Sequence, residues 1–285
     1  MNGTLRHQAG AIRLTAWTAA LALFAPVLAS AAPITLRSGS GTDAAAIQSV
    51  VDLFRGDVGA VNNGNLAGSQ GSGRREISWD GGGAAASATT FTSPMNTFNA
   101  GGTPRGAVFT TSGTGFEISG QPTPEFGDIN ATYPAIFQPF SSPRLFTPLG
   151  SNVFDTNFFI PGTTTPAAVF GFGAVFVDVD LANTTTVEFF NLSNVSLGVF
   201  AVPTFNNGLS FLGATFSDPI SRVRVTLGNA AVGPNDAGGT DVVVVDDLIY
   251  SEPQAVPEPA SVVLFGTGTA ALLWIQRRRT RKPRG

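Results

Sequence analysis

The chain contains no cysteine, and its single histidine is His7. Without cysteine the protein can form neither disulfide bonds nor a thiolate nucleophile. Imidazole, a common general base and zinc ligand, is available only at position 7. If the first residues are removed, as argued below, His-dependent and Cys-dependent hydrolysis and the usual zinc sites are excluded from the remainder. The composition still permits a catalytic pair of carboxylates or a binding site for a hard metal ion.

Lysine is nearly absent too, since Lys282 is the only one. Two of the 16 basic residues precede residue 32 and six follow residue 276. The eight arginines between them face all 19 acidic residues, which gives this part of the chain a formal net charge of −11. Because phosphates are neutralised by lysine and arginine, we expect no nucleic-acid partner.

The first 32 residues have the pattern of a secretory signal peptide. Arg6 and Arg13 supply the basic start, an apolar stretch follows over residues 14–28, and small residues surround Ala31 and Ala32. Cleavage is expected after Ala31 or Ala32. The segment 1–32 is therefore predicted to be a signal-peptide helix that the mature protein lacks.

The segment 253–285 combines a proline motif, an apolar run and a basic tail. No residue between Ala260 and Ile275 is charged. A helix of that length spans about 24 Å, and snorkelling side chains can extend it towards the roughly 30 Å of a bilayer's hydrocarbon core. We therefore predict a transmembrane helix over residues 260–276, with the arginines on the cytoplasmic side and the rest of the chain outside. An ordinary single-pass anchor would have the same pattern.

The order of these three parts resembles the PEP-CTERM sorting signal of Gram-negative bacteria. The matching residues are Val256, Pro257, Glu258 and Pro259, followed by the apolar run and by Arg277, Arg278 and Arg279. The resemblance implies recognition and cleavage by an exosortase-like membrane enzyme. It also implies a transient inner-membrane intermediate and a final location at the cell surface or outside the cell.

Residues 33–73 are predicted to hold a short strand, one helix and a loop. Thr42 and Asp43 are N-cap candidates, and apolar residues at helical spacing predict a helix from Asp43 to about Arg55 that ends at Gly56. Residues 59–73 are rich in glycine, asparagine and serine, which predicts a mobile loop. Arg74 and Arg75 then begin a strand and are interpreted as solvated charges beside Glu76.

Residues 74–252 are predicted to form a β-sandwich. From residue 152 to residue 250, strand-like runs recur every ten to thirteen residues with turn residues between them, including separate runs at 209–216 and 222–227. The stretch 121–148 is dense in proline and aromatics and is expected to pack over the sheet. The fold class is therefore all-β, an antiparallel sandwich or jelly roll with one short N-terminal helix. The body resembles the jelly-roll modules of extracellular carbohydrate-binding and adhesive proteins.

Two pairs of carboxylates are candidate calcium ligands. Asp178 and Asp180 lie at the end of one predicted strand, and Asp246 and Asp247 lie within another. Calcium takes six to eight oxygen ligands, so we regard a calcium ion near one of these pairs as one hypothesis. No other cofactor is expected. The alternative is that these residues are solvated strand ends or turns.

Trp79 is the candidate sugar-binding residue, because carbohydrate sites use an exposed aromatic face and this is the only tryptophan of the body. The sequence thus predicts a non-enzymatic surface or matrix protein that associates with exopolysaccharide. Two alternatives stay open: a secreted carbohydrate-active enzyme that uses a carboxylate pair, and a structural module without a ligand.

Overall fold

The structure is a computed structural model that describes residues 32–256. No helix within this range is long and apolar enough to cross a membrane. The predicted signal-peptide helix and the predicted transmembrane run 260–276 lie outside the described residues. The fold described below is therefore that of the body between these two segments.

The body is mostly β-structure, with 43% strand and 11% helix, and the paired strands are antiparallel. Its strands are β1 (Thr35–Gly41), β2 (Arg74–Ile77), β3 (Thr89–Phe91), β4 (Ala107–Thr110), β5 (Gly115–Ile118), β6 (Phe146–Leu149), β7 (Val153–Phe158), β8 (Ala167–Val179), β9 (Thr186–Asn191), β10 (Ser196–Ala201), β11 (Phe205–Thr226), β12 (Val244–Ser251) and β13 (Gln254–Ala255). Its helices are α1 (Ala44–Val58) and the single turn α2 (Thr97–Ala100), with 3₁₀ turns at Gly83–Ala85 and Tyr133–Ala135. The predicted all-β antiparallel class with one short N-terminal helix is confirmed.

Strand β11 joins two layers of the sheet. Its first half, to Thr215, pairs with β1 and β8, and its second half, from Ile220, pairs with β7 and β9. The sequence predicted two separate strands here, which is wrong because β11 is continuous over 22 residues. The residues between the two halves have no strand partner, so Pro219, which lacks an N–H, interrupts no pairing there.

The main core lies between the two layers, and β8 contributes to two cores at once. Phe172, Ala174 and Phe176 point into the main core, whereas Val175 and Val177 belong to a second core on the opposite face. Because side chains alternate along a strand, a strand covered on both faces has a continuous apolar sequence. This explains the long apolar run of β8.

Helix α1 covers the second core. The Asp43 carboxylate accepts a hydrogen bond from the Ala46 N–H at 3.0 Å, which confirms the predicted N-cap. The predicted end at Gly56 is wrong, because the helix continues to Val58, which is buried. Phe54 packs directly on two paired glycines of the sheet, where an added Cβ would lie 2.7 Å from its ring at Gly173 and 2.8 Å at Gly213.

The proline-rich stretch 121–148 packs over the sheet beside α1, as predicted. Phe126, Tyr133 and Phe137 from this stretch join the second core. The Tyr133 hydroxyl donates to the carbonyl of Pro234 at 2.9 Å and accepts from the N–H of Gly233 at 2.7 Å. The excursion therefore also holds the loop that connects β11 to β12.

The loop at residues 59–73 is anchored rather than free. Arg75 is 0% exposed, and its guanidinium donates to the carbonyl oxygens of Gly64, Leu66 and Gly68. Glu252 accepts from Arg75 at 2.6 Å and from the backbone N–H of Gln70. Arg74 does pair with Glu76 as expected, but the interpretation of Arg75 as a solvated charge is wrong.

The predicted divisions at residues 73/74 and 252/253 fall within the sheet. Strand β1 pairs with β11 over seven residues, so the N-terminal segment is part of the sheet. At the other end, β13 pairs with Ala167 and Ala168 of β8. The folded body thus extends to residue 255.

Candidate functional site

Three carboxylates meet at the end of β8. Asp178, Asp180 and Asp236 each offer an oxygen, and these oxygens all lie within 4.8 Å of one another. Asp178 is the penultimate residue of β8 and has a φ of 67°, Asp180 follows the strand, and Asp236 comes from the loop before β12. Within residues 32–256 this is the group of carboxylates whose geometry suits a metal ion. It contains Asp178 and Asp180, two of the four predicted ligands.

The hydrogen bonds of this cluster are incomplete. Asp178 is 1% exposed, and one of its oxygens accepts from the Asn207 N–H at 2.6 Å. Its other oxygen has no hydrogen-bond donor in the described part of the chain, and neither has one oxygen of Asp180. Burial, followed by the neighbouring carboxyl groups, raises the pKa of Asp178 to about 8 and also raises the pKa of Asp180.

Asp246 and Asp247 lie in a different environment, where protein groups occupy their oxygens. Asp246 accepts hydrogen bonds from the N–H groups of Phe140 and Ser141. Asp247 accepts from the Ser141 hydroxyl at 2.6 Å and pairs with Arg55 at 3.4 Å. Burial raises the pKa of Asp247 to about 6 and raises that of Asp246 as well. These two residues are thus engaged with the backbone and side chains around them, whereas Asp178 and Asp180 keep unbonded oxygens.

Trp79 lies in the main core and is 3% exposed. Its ring stacks on Phe146 with a centroid distance of 4.0 Å, and its Nε1 donates to the carbonyl of Asp246 at 2.7 Å. The predicted role of Trp79 as an exposed sugar platform therefore needs correction, since neither face of the indole is open to a ligand.

An exposed aromatic residue instead lies in a surface cleft of about 580 Å³. Phe170 of β8 is 43% exposed there, and hydroxyl, amide and backbone groups line the same cleft. These include Thr35, Ser72, Ser251 and Gln254. An aromatic face beside hydrogen-bonding groups is the combination that a sugar ring requires.

Sequence reasoning missed three of the residues that shape these sites. Asp236 lies among glycine, proline and asparagine in a loop far along the chain from Asp178, so no spacing motif connects them. Phe170 is one of 23 phenylalanines, and its neighbours in β8 are buried. Ser141, which contacts both Asp246 and Asp247, carries no recognisable motif.

The last residues of the body form a firm junction with the C-terminal segment. Glu252 is buried against Arg75, and the chain then pairs with β8 through Gln254 and Ala255. Val256 is the last described residue, and Pro257, Glu258, Pro259 and the arginines 277–279 lie outside the described part, as does Ala31. Ala32 is its first residue.

The described residues thus form an all-β body whose strand pairing ends at Ala255. A family model described as the PEP-CTERM protein-sorting motif matches residues 255–279. The chain therefore carries the substrate signal of an exosortase-type system, and this signal implies export across the membrane to the cell surface or the extracellular space. No curated protein and no solved structure matches the chain.

Proposed function

We propose that the exported body is a non-enzymatic component of the cell surface or extracellular matrix that associates with exopolysaccharide. The observation that carries the proposal is the sorting motif at residues 255–279, which begins on the last residue of β13. Because strand pairing continues to Ala255, cleavage after that point would leave the sheet intact.

The carboxylates in the surface clefts support a non-enzymatic role. Asp57 and Glu252 line the cleft that contains Phe170, and Asp155 lines a smaller one. Each is paired with an arginine: Asp57 with Arg37, Glu252 with Arg75, and Asp155 with Arg224. A glycosidase uses two carboxyl groups that face the scissile bond, whereas these carboxylates are engaged by arginines of the fold.

The cleft around Phe170 supports an association with polysaccharide. Its volume of about 580 Å³ and its mixed polar and apolar walls suit a short stretch of a glycan chain. The partly exposed ring of Phe170 offers the flat apolar surface, and the surrounding hydroxyl groups can bond to sugar hydroxyls.

Sorting is tested by the intact mass of the protein recovered from membranes, cell surface and medium. The wild-type protein is expected to lose both ends and to leave the membrane. A Pro257→Ala, Glu258→Ala double variant is expected to stay in the membrane with its arginine tail, because the recognition motif is gone. Asp218→Asn, an exposed change far from the tail in sequence, serves as the control and should be processed normally. Wild-type protein recovered outside the membrane with its tail intact would contradict the proposal.

Glycan binding is tested with the processed protein on exopolysaccharide from the producing strain and on a glycan array. Phe170→Ala is expected to weaken binding about tenfold, since loss of a stacking contact costs about 1.4 kcal/mol. Leu192→Ala removes a side chain that is equally exposed, at 43%, but lies in another cleft, and should leave binding unchanged. Turnover of the polysaccharide that is lost on substitution of an acidic residue would instead favour the carbohydrate-active enzyme.

A further inference from the structure

The cluster at the end of β8 brings three acidic side chains together without a basic partner among the described residues. None of the ion pairs among residues 32–256 involves Asp178, Asp180 or Asp236. A further carboxylate, Asp241, lies close enough to Asp180 to repel it. Burying a carboxylate without a partner is costly, so a fold that keeps this arrangement leaves a place for a cation.

A second observation is the unbonded oxygen of Asp178. This side chain is buried, and one oxygen is held by the Asn207 N–H while no donor reaches the other. Buried polar atoms in folded proteins nearly always have a partner. The Asp180 oxygen without a donor belongs to the same cluster, so both unbonded atoms are available to one ligand.

The backbone around the cluster is fixed by a separate set of hydrogen bonds. Asp241 accepts from the N–H of Asp180 at 3.1 Å and from the hydroxyl of Thr184, which holds the turn after β8. On the other side, the Asp236 carboxylate accepts from the N–H of Val242. Tyr133 holds the same loop at Gly233. The three carboxylates are thus positioned before any ligand binds.

We propose that Asp178, Asp180 and Asp236 bind a hard divalent cation, with calcium preferred. Two oxygens on one calcium ion lie at most about 5 Å apart, twice the usual bond length, and the three carboxylate oxygens meet this limit. Magnesium requires near-ideal octahedral geometry and keeps most of its water, which suits this partly buried, all-carboxylate site less well. The site would neutralise charge where β8 ends and tie that end to the loop before β12. It is independent of sorting and of polysaccharide binding.

The test is calcium titration of the processed protein after treatment with EDTA, followed by calorimetry and by the melting temperature. The dissociation constant is expected to be about 10⁻⁴–10⁻³ M, the range of extracellular calcium modules. Calcium at about 100 times that constant should raise the melting temperature by roughly 5–10 °C. Magnesium at the same concentration should give a clearly smaller shift, and an equal shift would overturn the preference for calcium.

Variants separate a binding site from a merely acidic surface. Asp180→Asn and Asp236→Asn are expected to bind calcium at least tenfold more weakly while remaining folded in EDTA, because both residues are only partly buried. Asp218→Asn makes the same chemical change at an exposed position and should respond like the wild type. The proposal is overturned if the wild-type protein shows neither heat of binding nor a thermal shift at about 10 mM calcium, well above the expected constant. It is also overturned if the two cluster variants respond as the wild type does.

Discussion

The pair of Arg75 with Glu252 and the cluster of Asp178, Asp180 and Asp236 are two groups of ionisable side chains that differ in how completely their polar atoms are hydrogen-bonded. Both oxygens of Glu252 and all three guanidinium nitrogens of Arg75 are hydrogen-bonded. In the acidic cluster, by contrast, oxygens of Asp178 and Asp180 have no donor in the described residues. Arg75 and Glu252 thus satisfy each other within the fold, whereas the acidic cluster keeps oxygen atoms that a ligand could occupy.

The largest change in the free energy of unfolding is expected when the pair of Arg75 with Glu252 is broken. Glu252→Gln leaves the buried guanidinium of Arg75 without its counterion and should lower the free energy of unfolding by about 3–5 kcal/mol. Urea unfolding of the processed variant measures this change. Replacing Arg75 and Glu252 together by methionine should cost less than the single change, because no isolated charge remains buried. A single-variant loss below about 1 kcal/mol, typical of surface pairs, would show that the pair does not behave as a buried one.

Glu117 is a buried carboxyl group that forms no ion pair with an arginine of the described residues. Burial first, and then the charge and hydrogen bond of Asp128, raise its pKa to about 7 from 4.5. The folded state therefore holds a proton that the unfolded state releases between these two values. Stability from this group is complete below about pH 4.5 and is lost as the pH rises through about 7.

Glu117→Gln should remove this pH dependence. The wild-type free energy of unfolding is expected to fall by up to about 3 kcal/mol more than that of the variant between pH 5 and pH 8. Urea unfolding at several pH values, with calcium held at a fixed concentration, measures the difference. Parallel curves for the two proteins would mean that the folded pKa of Glu117 is close to its ordinary value.

Features that depend on neighbouring residues were predictable from the sequence, and features that depend on distant contacts were not. Strand alternation and the N-cap at Asp43 are local signals, so the all-β class and helix α1 followed from neighbouring residues. Asp178 and Asp180 were visible for the same reason, as two acids at the end of an apolar strand. Their partner Asp236 was not, because only the tertiary fold brings its loop to β8.

Arg75 and Trp79 are the converse case: their sequence context suggested exposed side chains, but both are buried. An arginine beside Arg74 and Glu76 suggests a solvated strand, and a lone tryptophan suggests a ligand platform. Their burial depends on contacts distant in sequence, with Glu252 for Arg75 and with Phe146 and Asp246 for Trp79. Residue type alone could not distinguish a core position from a site at either residue.

A smaller effect, of opposite sign, is expected in the acidic cluster. In EDTA, Asp180→Asn should raise the free energy of unfolding, by less than Glu252→Gln lowers it, because it removes a carboxylate whose charged form is disfavoured by burial and by the neighbouring carboxylates. With calcium in excess the order should reverse, since the variant has lost a ligand. Asp218→Asn is the matched control and should show neither change. A variant less stable than the wild type in EDTA would mean that the Asp180 carboxylate is compensated after all.

The smallest change in the free energy of unfolding is expected for the surface pair of Arg224 with Asp155. Arg224 is 44% exposed and pairs with Asp155 at 2.8 Å. Arg224→Gln should cost only about 0.2–1 kcal/mol, because the guanidinium is already in contact with water. Arg222 stays within 3.2 Å of the same carboxylate and limits the loss further. Urea unfolding at low and at high salt should show the difference shrinking as the ions screen the pair. A loss as large as that of Glu252→Gln would mean that pairing itself, and not burial, sets the energy of charges in this fold.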